Sequence, residues 1–272
     1  ISIFINHKKE IYKYSNMLSI IQDENFKSKK LLSIQKGLVS SNINCKNEMK
    51  KLKNIISWLG DSTSNAYYLI VNVLFMSDIF ILANLEEWKV KNGYKVRKWL
   101  DDMGEIEALI SLSTIAFEHD EWTYPTISGV NEIEAIELAH PLLGEKAKSN
   151  NFTLKGREKV ALITGSNMSG KSTFLRTIGF NMILTYLGLP TFSKGFKCGI
   201  SNIYTCMRTQ DNLEENISSF YAEILRIKLV IEAAKSGEKV FFLLDEIFKG
   251  TNSKDRHDGA RILIEQLVKE LV

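Results

Sequence analysis

In the first half of the chain, apolar side chains recur at helical spacing. Ile11, Tyr14, Leu18 and Ile21 share one face, Met49, Leu52, Ile56 and Leu59 a second, and Trp99, Met103, Ile106 and Ile110 a third. These stripes predict helices packed on one another and call for no cofactor. Glycine and proline are scarce until Trp122-Thr-Tyr-Pro-Thr-Ile-Ser-Gly129, which predicts a junction. Beyond it the rhythm changes. A short strand is expected around Ile133–Leu138, then His140-Pro141, then a polar excursion from Gly144 to Asn151. Apolar runs at Val160–Thr164 and Lys239–Leu244 predict buried strands, and helices are expected over Phe174–Leu187 and from Ser218 or Ser219 to about Ala234. The organisation expected is an all-α domain over residues 1–125 followed by an α/β domain over 126–272, its sheet mostly parallel and flanked by helices.

Composition changes this picture little. At 272 residues with a net charge of +3, the chain can bury a large core and carries too little charge to imply a partner. The early lysines, among them Lys8, Lys9, Lys13, Lys27, Lys29, Lys30, Lys36, Lys46, Lys50, Lys51 and Lys53, fit either a nucleic-acid or membrane-surface footprint or the solvated faces of helices. Cys45, Cys198 and Cys206 form no paired motif, so a reducing cytoplasmic setting fits and neither a disulfide framework nor a zinc site is expected. His7, His119, His140 and His257 have no ligand spacing. Asn151-Phe-Thr and Asn216-Ile-Ser match the glycosylation pattern by coincidence in such a setting. Isoleucine at position 1 leads us to expect a piece of something longer. The apolar stretch from Tyr67 to Ala83 approaches spanning length but is interrupted by Asn72 and Asp78. With its polar lead-in at Asp61–Asn65, it is expected to be one long helix buried on most sides.

The chemistry starts at Gly165-Ser166-Asn167-Met168-Ser169-Gly170-Lys171-Ser172-Thr173, between a predicted strand and a predicted helix. That order is the context a phosphate-binding P-loop requires. Glycines let backbone N–H groups close around phosphate oxygens, the helix presents its positive end, and Lys171 adds a charge near the β- and γ-phosphates. Ser172 offers a hydroxyl to Mg²⁺. The strand Lys239–Leu244 then delivers Asp245 and Glu246 to its C-terminal edge, where open α/β sheets bind ligands. There Asp245 would hold Mg²⁺ and Glu246 would orient and polarise the attacking water. A third segment, Ile203 to Glu223, predicts a strand, a polar loop and a serine-capped helix. Ser218 and Ser219 at that helix start make a second anion site, useful for the nucleotide of another subunit.

The P-loop, Ser218-Ser219-Phe220-Tyr-Ala-Glu223 and Asp245-Glu246-Ile-Phe-Lys-Gly250-Thr251-Asn252-Ser253 together resemble the ATPase domain of the MutS family, over roughly residues 126–272, with His140-Pro141 also matching. The helical half more loosely resembles that family's core and lever helices. The resemblance implies an ABC-like P-loop ATPase whose two domains dimerise and complete each other's sites, with ATP and Mg²⁺ as cofactors and duplex or structured DNA as partner. It implies that Asn167 and Lys171 contact the γ-phosphate in cis, that Ser218 and Ser219 approach it from the partner, and that Gly250, Thr251, Asn252 and Ser253 cross the interface. Three departures stand out. Ser166 and Ser169 replace the usual proline and glycine, and Ala147 and Lys148 stand where an aromatic residue would stack on adenine. The chain also ends at Val272, before the strand that the family's switch histidine follows, so nucleotide binding with weak hydrolysis is expected. Nothing resembles the mismatch-reading module. Rival readings are an ABC or SMC-type ATPase, whose signature serine would precede two glycines, a DNA clamp switched by ATP, and a scaffold tethered to a membrane by segments outside this chain.

Overall fold

A computed structural model of the chain describes residues 4, 6–40, 43–60, 74–156, 160–166, 168–207, 219–248 and 253–270. The chain forms two compact units, residues 1–111 and 112–272. In the first, helices α1 (Lys8–Asp23), α2 (Lys29–Gly37) and α3 (Cys45–Gly60) precede α4 (Ser77–Glu118), a 42-residue helix whose last residues belong with the second unit. A two-residue antiparallel ladder, β1 (Val39–Ser40) with β2 (Ile43–Asn44), joins α2 to α3, so this unit is not wholly α.

The predicted stripes form its core. Leu18, Ile21, Met49, Leu52, Ile56, Trp99, Met103 and Ile106 are buried together with Leu85 and Trp88. Among the described stripe positions two do not hold: Tyr14 is 40% and Ile110 61% exposed. A polar knot pins α4 to α3, where the Trp88 indole N–H donates to the Glu48 carbonyl oxygen at 2.8 Å and the Asn92 amide donates to the Glu48 carboxylate at 3.1 Å. Burial alone would raise the Glu48 carboxyl, but hydrogen bonds from Lys51, Asn92 and Lys91 outweigh it and hold the group below the usual carboxylate range.

The stretch expected to be one buried helix from Tyr67 is corrected where it is described. Met76 has φ 49°, a left-handed conformation that separates the helical Leu74–Phe75 from Ser77. Ile79 and Phe80 are more than 60% exposed. Residues 61–73, including the Asp61–Asn65 lead-in, lie outside the described residues. Among the described residues no helix is long and apolar enough to cross a membrane.

Among its described residues the second unit has two sheets. In the larger, β3 (Thr126–Ser128) lies parallel to β6 (Gly195–Gly199), which is antiparallel to β4 (Ile133–Leu138), which is antiparallel to β5 (Asn150–Leu154). The smaller is a parallel pair, β7 (Asn202–Cys206) with β8 (Val240–Leu244), in the register Asn202↔Val240 to Cys206↔Leu244. The expectation of a mostly parallel sheet therefore gives way to a mixed one. The link from β4 to β5, a 3₁₀ turn at Pro141–Lys146 and a few polar residues, has no room for the crossover helix a parallel pair needs.

Helix α5 (Lys171–Tyr186) packs Ile178 and Met182 on the larger sheet, with Ile203 and Phe241 of the smaller one beside them. Helices α6 (Ser219–Lys235) and α7 (Ser253–Glu270) cover the other face of the parallel pair through Val240, Phe242 and Leu244. This alternation along β8 is the period-two signature of a strand buried on both sides. The expected strand at Val160–Thr164 forms no ladder with described residues. Val160, Ala161 and Ile163 instead border a cavity of about 100 Å³ that Val240–Leu243 also line. At the expected junction, Trp122 is buried between His119 and Phe192 in a parallel ring stack, and Thr123 pairs with Thr191.

Candidate functional site

The phosphate-loop segment is exposed and closes on itself. Gly170 ends it at φ 93°, a conformation that disfavours any side chain, and its carbonyl oxygen accepts the Phe174 N–H at 2.8 Å to start α5. Met168 also takes a left-handed φ of 63° and points wholly into solvent. A Cβ on Gly165 would lie 2.8 Å from the Ser169 hydroxyl, so the two ends of the loop approach only because residue 165 is glycine. The Lys171 ammonium folds back and donates to the carbonyl oxygens of Gly165 at 2.9 Å and Ser166 at 2.7 Å. Its charge thus sits at the centre of the loop. Asn167 lies outside the described residues.

Beside the loop opens a cavity of about 570 Å³. Thr164, Ser169, Gly170, Lys171, Thr173, Phe174 and Thr177 form one wall, and His140, Leu143, Lys146, Lys148, Asn150, Asn151 and Phe152 the other. Its volume lies in the range of small-molecule sites, roughly 300–1,000 Å³. Three lysines on one cavity favour an anionic occupant. His140 is buried, its Nδ1 accepts the Leu142 N–H at 3.3 Å, and burial followed by the nearby Arg176 charge lowers its pKa. Pro141, with no N–H of its own, starts the turn that follows.

The acid pair arrives from β8. Asp245 is buried, with its N–H donating to the Cys206 carbonyl oxygen at 2.9 Å, so β7 holds it by the main chain. Glu246 at φ 50° and Phe248 at φ 60° both take left-handed conformations, forming a tight turn. The Phe248 N–H donates to Glu223 Oε1 of α6 at 2.7 Å. Helix α5 lies close to β8 at Gly179, where a Cβ would lie 2.8 Å from Leu243 Cδ1.

The structure therefore gathers Ser169, Gly170, Lys171 and Thr173 on one cavity, while Ser172, Asp245 and Glu246 do not line it. Ser219 and Ser253 are the first residues of α6 and α7, each at a helix N-terminus. Ser218, Gly250, Thr251 and Asn252 lie outside the described residues. Two features escaped the sequence. One is Phe152, an aromatic side chain on the cavity that comes after Asn150 and not before it, in edge-to-face contact with Phe174, which also lines the cavity, at 5.5 Å. The alternation of Asn150–Leu154 was the signal that would have placed it on a strand facing the loop. The other is the Glu223 contact, for which the sequence carries no local signal. Among the described residues no group of three or more His, Cys, Asp or Glu side chains could hold a metal ion.

The model of MutS domain V matches residues 161–271, from the cavity-lining Ala161 through α7. The chain is 29% identical over 190 residues to an endonuclease MutS2 of Carboxydothermus hydrogenoformans, covering 69% of this chain and 24% of that protein. It is 33% identical over 165 residues to a DNA mismatch repair protein MutS of Persephonella marina, covering 59% and 19%. It is 31% identical over 184 residues to MutS protein homolog 5 of Caenorhabditis elegans, covering 65% and 13%. The chain thus spans a quarter or less of the length of these relatives. With the domain V match enclosing the glycine loop, Glu223 and the acid pair, the chain belongs to the MutS family.

Proposed function

We propose that this chain binds ATP and hydrolyses it with Mg²⁺, as the ATPase portion of a MutS-type protein acting on DNA. The observation that carries the reading is the Lys171 ammonium held inside a glycine-ended loop, at the N-terminus of α5, on a cavity of nucleotide size. Entering phosphates would draw Lys171 off the Gly165 and Ser166 carbonyls, exchanging neutral acceptors for charged ones, which makes stronger bonds. The backbone N–H groups from Gly165 to Thr173 would close around the same oxygens, with Asn167 reaching the γ-phosphate. Ser172 and Asp245 supply the oxygen donors Mg²⁺ prefers, a small set that fits an ion completed by phosphates and water. When bound, the ion would neutralise charge on the phosphates. Glu246 would orient and polarise the attacking water.

Completion of the site belongs to a second copy of the chain in this reading, through Ser219 at the start of α6 and Ser253 at the start of α7, together with Ser218 and Asn252. Helix N-termini attract phosphate through their main-chain N–H groups and the positive end of the helix dipole. Support for a DNA partner comes from relatives named as mismatch repair proteins and an endonuclease. Lysines of the first unit such as Lys9, Lys13 and Lys50 are exposed, whereas Lys30, Lys46 and Lys51 are occupied by Glu105, Asp23 and Glu48.

The test is Lys171→Ala, measured by titration with ATP. Removing a charged donor from two phosphates should weaken binding by about 1.5–3 kcal/mol, roughly ten- to a hundredfold, without lowering thermal stability. Unchanged affinity would refute the phosphate role.

A further inference from the structure

Beyond the acids that would act on water, and resting on the ATPase reading, we propose that Glu223 is a positioning residue: its carboxylate holds the turn that carries Glu246 in its working shape. Glu223 is only 6% exposed and does not line the nucleotide-sized cavity, yet it accepts the Phe248 main-chain N–H at 2.7 Å. That is the length of a charge-assisted bond. The turn it meets is conformationally unusual, because Glu246 and Phe248 both carry a Cβ at positive φ, 50° and 60°. Such conformations persist where the surroundings over-determine them.

Three elements do so here. From β7, the Cys206 carbonyl oxygen fixes the Asp245 N–H at 2.9 Å. From α7, Gly259 leaves room for the Phe248 ring, since a Cβ there would lie 3.4 Å from it. From α6, Glu223 fixes the Phe248 N–H. The first two anchors act on the main chain before Glu246 and on a ring after it; Glu223 supplies the side-chain bond that holds the backbone beyond Glu246. A buried carboxylate beside the Cys206 thiol is consistent with this cluster, for that thiol is pushed up by burial and then by Glu223. Glu223 also lies one helical turn from Ser219, the first residue of α6. Under the proposed function, α6 then links the phosphate-facing helix start to the turn that activates water.

The experiment compares Glu223→Ala and Glu223→Gln in the full chain, with ATP turnover, nucleotide affinity, thermal unfolding and amide exchange at Phe248. The alanine variant should lose kcat by up to roughly a hundredfold, the scale of an ångström-level misplacement, while KM stays within about twofold. The glutamine variant keeps a carbonyl acceptor and should recover most of that loss. Amide exchange at Phe248 should be fast in the alanine variant and slow again with glutamine. In a Glu246→Gln background, Glu223→Ala should add little, because both changes act on one step. The proposal is overturned if the alanine variant turns over like wild type, if glutamine does no better than alanine, or if the loss lies in affinity. A folded wild-type chain without turnover removes the ATPase reading, and with it this role for Glu223. Phe248 exchange then still shows whether the anchor itself exists.

Discussion

With its ammonium 2.9 Å from the Gly165 oxygen and 2.7 Å from the Ser166 oxygen, Lys171 holds the glycine loop closed on itself, a shape that a phosphate would have to reopen under the proposed function. Ser169 tightens the same shape from the other end of the loop, its hydroxyl filling the space that a Cβ on Gly165 would need. At the end of β8 the division of labour is set by burial: Asp245 is enclosed and held by β7, while Glu246 sits on the strained turn. If Glu246 activates water, Glu246→Gln preserves its size and removes its basicity. It should leave ATP affinity near wild type and slow turnover by on the order of a hundredfold or more, read by single-turnover kinetics. Wild-type turnover in that variant would place water activation at another group. The residue types of this chemistry were legible in the chain because glycine, lysine and paired acids act through local spacing. The Phe152 wall and the Glu223 anchor were not, since each depends on a partner distant in sequence: Lys171-bearing α5 for the first, Phe248 for the second.

Elements are positioned mainly by α5, which carries the loop at its N-terminus and lies across both sheets. Gly179 permits its approach to β8, where a Cβ would stand 2.8 Å from Leu243 Cδ1. Gly179→Val should overpack this contact and destabilise the second unit by about 1–3 kcal/mol, seen as a lower urea midpoint with an unchanged slope. An unaffected midpoint would mean that α5 can shift away from β8 freely. Helices α1, α3 and α4 of the first unit could be read from their 3.6-residue stripes, β4 and β8 close to their observed limits, and β7 as the strand that opens the Ile203–Glu223 segment. Pairing could not. Val160–Thr164 has the composition of a central strand, but hydrogen bonding to a neighbour depends on where the two backbones lie, and among the described residues the run joins no ladder. The antiparallel β4–β5 pair likewise follows from a short turn and not from either strand's composition.

For the whole molecule, the proposed reading makes ATP a bond between two copies. Sedimentation with a non-hydrolysable ATP analogue should therefore show nucleotide-dependent dimers. Ser218→Arg should prevent them while leaving nucleotide binding by the monomer intact; dimers that survive would remove the role assigned to the partner's serines. What the sequence by itself determined is the family, the helical character of the first unit and the segments to which the proposed reading assigns phosphate chemistry, because stripes, runs and glycine spacing are local properties of the chain. The tertiary structure alone decided which wall faces the loop, how the strands pair and what holds the turn at Glu246. These rest on contacts between residues far apart in sequence, where burial and backbone geometry select one arrangement among several that the same local pattern would permit.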